Sequence, residues 1–306
     1  MILQGKVAAV EEQIESRLKN RINTVELQLL DGDTTGSVLN VLTKYPELQV
    51  TAVHPVISSD KEYITANLNH LSYPKVLDNF VTACVVADFM GKAQKRKVAV
   101  IVHNTMAFHD YECAPVLFNN VVEALKSTQS LYTNIYFLVE NVPPFSSDTH
   151  MCNGSLADDV GKLVLALRKH NIDVGITLDL CHNTMTKRLF EKLYNESELG
   201  TNVEENMKKF TLEYWFRTYG ELIKNVHISK CIGFGFSKSH HGAPIDNYDY
   251  EELQKLRSLC NLYCEDEHTL WTVEVSDNDY VNPVNQLDTI ERLVEDFSLY
   301  VGENRI

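Results

Sequence analysis

The chain has 306 residues, 44% of them hydrophobic, and a formal net charge of −14. That is enough apolar material for one large core, and the acidic balance argues against non-specific binding to nucleic acid, whose phosphates require a positive surface. No apolar run is long enough to span a bilayer, the start Met-Ile-Leu-Gln-Gly-Lys lacks a signal-peptide pattern, and the seven cysteines contain no CxxC pair, which fits a reducing cytoplasm better than a disulfide framework.

Residues 2–9 are a candidate first strand. Val10, Ile14, Leu18 and Ile22 recur at helical spacing and predict an amphipathic helix over 11–21. Residues 24–30 alternate as a strand does, and residues 49–55 form another, closing on His54 before Pro55. Val76, Phe80, Cys84, Val85 and Phe89 mark the buried face of a helix. Lys92, Lys95, Arg96 and Lys97 follow as the one basic cluster, read as a solvated helix end where cations complement the dipole.

A continuous apolar strand over 98–104 again ends in a histidine, His103. Residues 116–130 are helical, and the strand over 134–141 ends in Glu140-Asn141. Ser155 to Asp158 has the form of a capping box opening a helix that runs to His170. The next strand, Val174 to Leu178, stops abruptly in Asp179-Leu-Cys-His182. Between His182 and Lys224 the pattern is mostly helical with a break near Gly200, long enough for a lid or an oligomer contact. Residues 225–229 form a strand around His227, followed by a loop rich in Gly and His that contains Lys238, His240 and His241. A helix over 249–264 places Cys260 and Cys264 one turn apart. A last strand over 270–275 carries Glu274, and Asn282-Pro283 opens a final helix with Leu287, Ile290, Leu293, Val294 and Phe297 on its buried face.

Roughly eight strands alternate with helices, and no linker interrupts them. That is the pattern of one (β/α)8 TIM barrel spanning 1–306. A Rossmann sheet is disfavoured because no GxGxxG follows an early strand. Taken singly, a strand-end His, Asp or Glu is an ordinary capped or hydrogen-bonded residue. Jointly, His54, His103, Glu140, Asp179, His182, His227 and Glu274 are not, since buried carboxylates need cations and Lys and Arg are nearly absent from these strand ends. Mixed N and O ligands at one barrel mouth suit a divalent metal such as Zn, Mn or Co.

The order His54, His103, Glu140-Asn141, Asp179-x-x-His182, His227, His240-His241, Glu274 resembles the xylose isomerase-like TIM barrel superfamily, which contains sugar isomerases and epimerases and the endonuclease IV family of AP endonucleases. The resemblance implies one metal held by Glu140, Asp179, His227 and Glu274. It implies Glu140 and Glu274 as the acid/base pair of the epimerase branch, with His182 on the substrate. In the endonuclease branch it implies further metals, with His54 and His103 joining Glu140 at one and His182 and His240 helping to hold another. Two positions depart from the endonuclease pattern: Lys238 stands where its loop has Asp, and Lys230 stands where its strand motif has Asp. The expectation is therefore an isomerase or epimerase acting by proton transfer beside a carbonyl on a small carbohydrate-like substrate. Substrate contacts are expected from His182, His103, Lys230 and His241. A metal-dependent phosphoesterase and a non-catalytic metal-binding barrel are the alternatives.

Overall fold

Eight short strands, largely buried on both faces, close on one another in a ring. They are β1 (Ile2–Ala8), β2 (Thr24–Gln28), β3 (Gln49–His54), β4 (Val98–His103), β5 (Ile135–Glu140), β6 (Val174–Asp179), β7 (Ile223–Ile228) and β8 (Leu270–Val273). Each pairs in parallel with the next, and β8 closes on β1 from Ile2–Leu270 to Gly5–Val273. The protein is seen here in a computed structural model that describes residues 1–59, 62–63, 65–143, 154–195, 207–232, 241–246, 249–264, 269–297 and 300–301. The expected break near Gly200, Lys238 and His240 lie outside the described residues.

Around the ring lie α1 (Glu11–Lys19), α2 (Thr35–Leu42), α3 (Pro74–Gln94), α4 (Pro115–Leu131), α5 (Ala157–Lys169), α6 (Leu180–Asn195), α7 (Leu212–Tyr219), α8 (Tyr250–Tyr263) and α9 (Val284–Phe297). Parallel strands need such crossovers. The main core lies between helices and sheet, where Val100, Phe137, Ile176 and Trp271 meet Phe80, Leu163 and Phe297. Inside the ring the filling is smaller: Ala52, Ala99, Ile101 and Leu138 form a separate apolar plug. Side chains alternate along a strand, so the residues two further on, His54, His103 and Glu140, sit above that plug at the C-terminal mouth. No helix among the described residues is long and apolar enough to cross a membrane.

Three expectations change. In α3 the face turned to the sheet is Val76, Phe80, Ala83, Cys84 and Ala87, while Phe89 is exposed and Val85 half-buried. Small residues win these positions because the helix lies close to the strands. The capping box at Ser155 does not form: Leu156 is the N-cap of α5, no side chain caps it, and Ser155 Oγ is buried without a hydrogen bond. Asp158 turns instead to Tyr214 and Tyr219 of α7 at 2.6 and 3.0 Å. In α9, Gln286 and Thr289 are buried and Val294 is exposed. Gln286 faces the seam, donating to Lys6 O at 2.9 Å and Val273 O at 3.2 Å.

Candidate metal centre at the barrel mouth

Register builds the site. His103 lies opposite Glu140 across β4 and β5, and Asp179 lies opposite His227 across β6 and β7. Glu274 follows β8, with its N–H bonded to Ile228 O at 3.1 Å. Two groups result. Glu140, Asp179, His227 and Glu274 bring one ligand atom each within 4.8 Å of one another, and so do His54, His103 and Glu140. Glu140 belongs to both. Its Oε2 lies 3.3 Å from Nε2 of His54 and of His103, and its Oε1 lies 3.3 Å from His182 Nδ1 and 3.5 Å from His227 Nδ1.

The donor atoms are prepared for a cation. Asp179 Oδ2, His227 Nδ1 and Glu274 Oε2 are all buried without a hydrogen bond. His227 Nδ1 lies only 2.7 Å from Glu274 Oε2, a close approach that is not aligned as a hydrogen bond. Buried polar atoms are rarely left this way, and one divalent ion would satisfy all three. The residues therefore fit the metal that the strand-end pattern implies.

Two further charged residues, neither of them anticipated from the sequence, complete the mouth. Lys6 of β1 holds Glu274 Oε1 at 2.8 Å and Glu26 Oε1 at 3.3 Å. Glu26 of β2 holds His227 Nε2 at 2.9 Å through its Oε2. Lys6, inside β1 rather than at a strand end, is a cation for these carboxylates that the scarcity of Lys and Arg at the strand ends did not reveal. The available signal was opposite charge at neighbouring inward positions of the first two strands, since Lys6 and Glu26 are register partners.

Electrostatics follow from the packing. Burial works against the charge of each group, yet Glu26, Glu274 and Glu140 hold the His227 pKa well above its ordinary value. Burial likewise opposes ionisation of Glu140, but the charge of His227 and the close approach of His103 and His182 hold it well below the usual carboxylate range. Lys6 and His227 do the same for Glu274 against its burial. The His182 pKa is pushed up to about 9, with burial opposing and Asp179 and Glu140 outweighing it. His103 is lowered, chiefly by burial.

At the open side His182 Nδ1 donates to Asn141 O at 2.8 Å, leaving Nε2 2.9 Å from His241 Nε2. His241 also forms a tight group with Asp179 and Cys181. The Lys230 ammonium lies 2.9 Å from Asp246 and 3.1 Å from Asp249.

No protein-family model and no curated protein sequence matches this chain. Among solved structures it is similar to the IOLI protein with a bound zinc atom, at TM-score 0.56 and 14% identity over 97% of this chain and 96% of that one. It is also similar to AP endonuclease, family 2 from Brucella melitensis, at 0.53 and 12% over 96% and 98%. Endonuclease IV from Thermus thermophilus matches at 0.51 and 13% over 96% and 100%. At these identities the likenesses show the fold alone, a (β/α)8 TIM barrel, as the alternation of strands and helices predicted.

Proposed function

We propose that this chain is a divalent-metal enzyme that hydrolyses a phosphoester bond in a small carbohydrate-like molecule, with Glu140, Asp179, His227 and Glu274 as the residues that would hold one ion and His54, His103 and Glu140 as those that would hold a second. The observation that carries this reading is the division of the Glu140 carboxylate, with one oxygen turned to His54 and His103 and the other to His182 and His227. When bound, two such ions polarise phosphoryl oxygens and acidify an attacking water. The chain supplies the rest. Glu140 ties the two groups together through one rigid carboxylate. His182 and His241 present facing imidazoles beside the centre, and such a pair can pass a proton to a leaving oxygen. The zinc in the similar IOLI structure supports zinc first among Zn, Mn and Co. The net charge of −14 favours a small substrate over a nucleic acid. No disulfide joins the six described cysteines, which supports a reducing, cytoplasmic setting.

A sugar isomerase or epimerase is the second reading, because Glu140 and Glu274 approach His227 Nδ1 from different strands at 3.5 and 2.7 Å. Two carboxylates so placed can remove and return a proton beside a carbonyl. The Lys6 contact counts against it, since a carboxylate ion-paired at 2.8 Å is a weakened base. The deciding experiment incubates metal-loaded protein with sugar phosphates, phosphodiesters, an abasic-site oligonucleotide and ketoses in deuterated water. The reading predicts metal-dependent phosphate release from small substrates and none from Glu140→Ala protein. Deuterium entering a ketose without any hydrolysis would overturn it and install the isomerase.

A further inference from the structure

We propose that Lys6 and Glu26 are a positioning pair that sets His227 and Glu274 in metal-ready geometry without either residue binding the ion. A histidine has two ring nitrogens, and only one can serve a given ion. Glu26 Oε2 takes Nε2 at 2.9 Å, so Nδ1 is the atom turned toward Glu140, Asp179 and Glu274. A glutamate likewise has two oxygens. Lys6 takes Oε1 of Glu274 at 2.8 Å and leaves Oε2 facing the centre. Lys6 and Glu26 meet at 3.3 Å, so one buried ion pair aligns both ligands.

The pair is itself held from below. Asn225 donates to Glu26 Oε2 at 3.1 Å, Thr272 donates to Asn225 at 2.8 Å, and Gln4 donates to Thr272 at 2.7 Å. This relay crosses the barrel interior where layers of branched apolar side chains are usual. Stability alone does not account for it, because well-packed apolar residues often match or exceed a buried ion pair. Ligand orientation does: a ligating histidine generally gives its other nitrogen to a carboxylate or carbonyl, which fixes tautomer and ring plane.

The inference rests on the metal reading above, and its test separates the two. Metal-free wild type, Glu26→Gln, Lys6→Met and the double variant are titrated with Co²⁺, and affinity and visible spectrum are recorded for each ion. Each single variant is expected to weaken one ion by about 10- to 100-fold and alter its spectrum. The ion at His54, His103 and Glu140 should be unaffected. The double variant removes both buried charges, so it should unfold cooperatively while keeping the weakened site. A folded double variant with wild-type affinity and spectrum would overturn the inference alone. Wild type that binds no Co²⁺ would overturn the metal reading with it. Should the charge-deleting variants not fold, Lys6→Arg and Glu26→Asp retain the charges and displace the contacts, and unchanged affinity and spectrum there would equally overturn it.

Discussion

Asn141 grips Asp179 by both of its backbone groups: Asn141 Nδ2 donates to Asp179 O at 3.0 Å, and Asp179 N donates to Asn141 Oδ1 at 2.7 Å. The β5–β6 ladder ends at Glu140 opposite Thr177, and this side-chain amide extends it one step into the site. Asn141→Ala leaves the buried Asp179 N–H without its partner, at about 1–3 kcal/mol. Urea unfolding of the metal-free protein should show that loss, and an unchanged midpoint would remove Asn141 from this role.

Gly161 of α5 sets how closely α7 approaches. A Cβ there would lie 2.3 Å from the Tyr219 ring. Gly161→Ala should therefore destabilise by about 1–3 kcal/mol through overpacking. Adding Tyr219→Ala should make the Gly161 substitution nearly neutral in a double-mutant cycle. Additive losses would show that the two helices are not in register here.

Asp158 links the same helices and gives a pH signature. Burial raises its pKa, but hydrogen bonds from Tyr214, Tyr219 and Lys209 outweigh this and hold it below the ordinary value. A depressed folded pKa contributes stability above the unfolded pKa of about 3.9 and loses it as pH falls through the folded value. Asp158→Asn should thus be less stable than wild type at pH 7, with the gap closing below about pH 4. A gap that persists at lower pH would mean the carboxylate charge is not what holds α5 to α7.

The barrel and its mouth were legible because a His, Asp or Glu ending an apolar strand is conspicuous. His54, His103, Glu140 and Asp179 each close a run that is otherwise buried. Lys6 and Glu26 escaped because they lie within strands whose alternation, Thr-Val-Glu-Leu-Gln in β2, reads as one dry and one wet face. In a closed ring the second face is not wet, so polar residues there turn into the site. Lys230 follows the strand that carries His227, and its pairing with Asp246 and Asp249 was not legible because those carboxylates lie 16 and 19 positions further along the chain.

Elemental analysis of purified, metal-loaded protein bears most directly on the shared Glu140. Wild type should carry two divalent ions per chain, His54→Ala/His103→Ala one, and Glu140→Ala fewer than either. One ion in wild type, unchanged when His54 and His103 are removed, would contradict the two-ion centre; equal metal in wild type and Glu140→Ala would contradict the site itself.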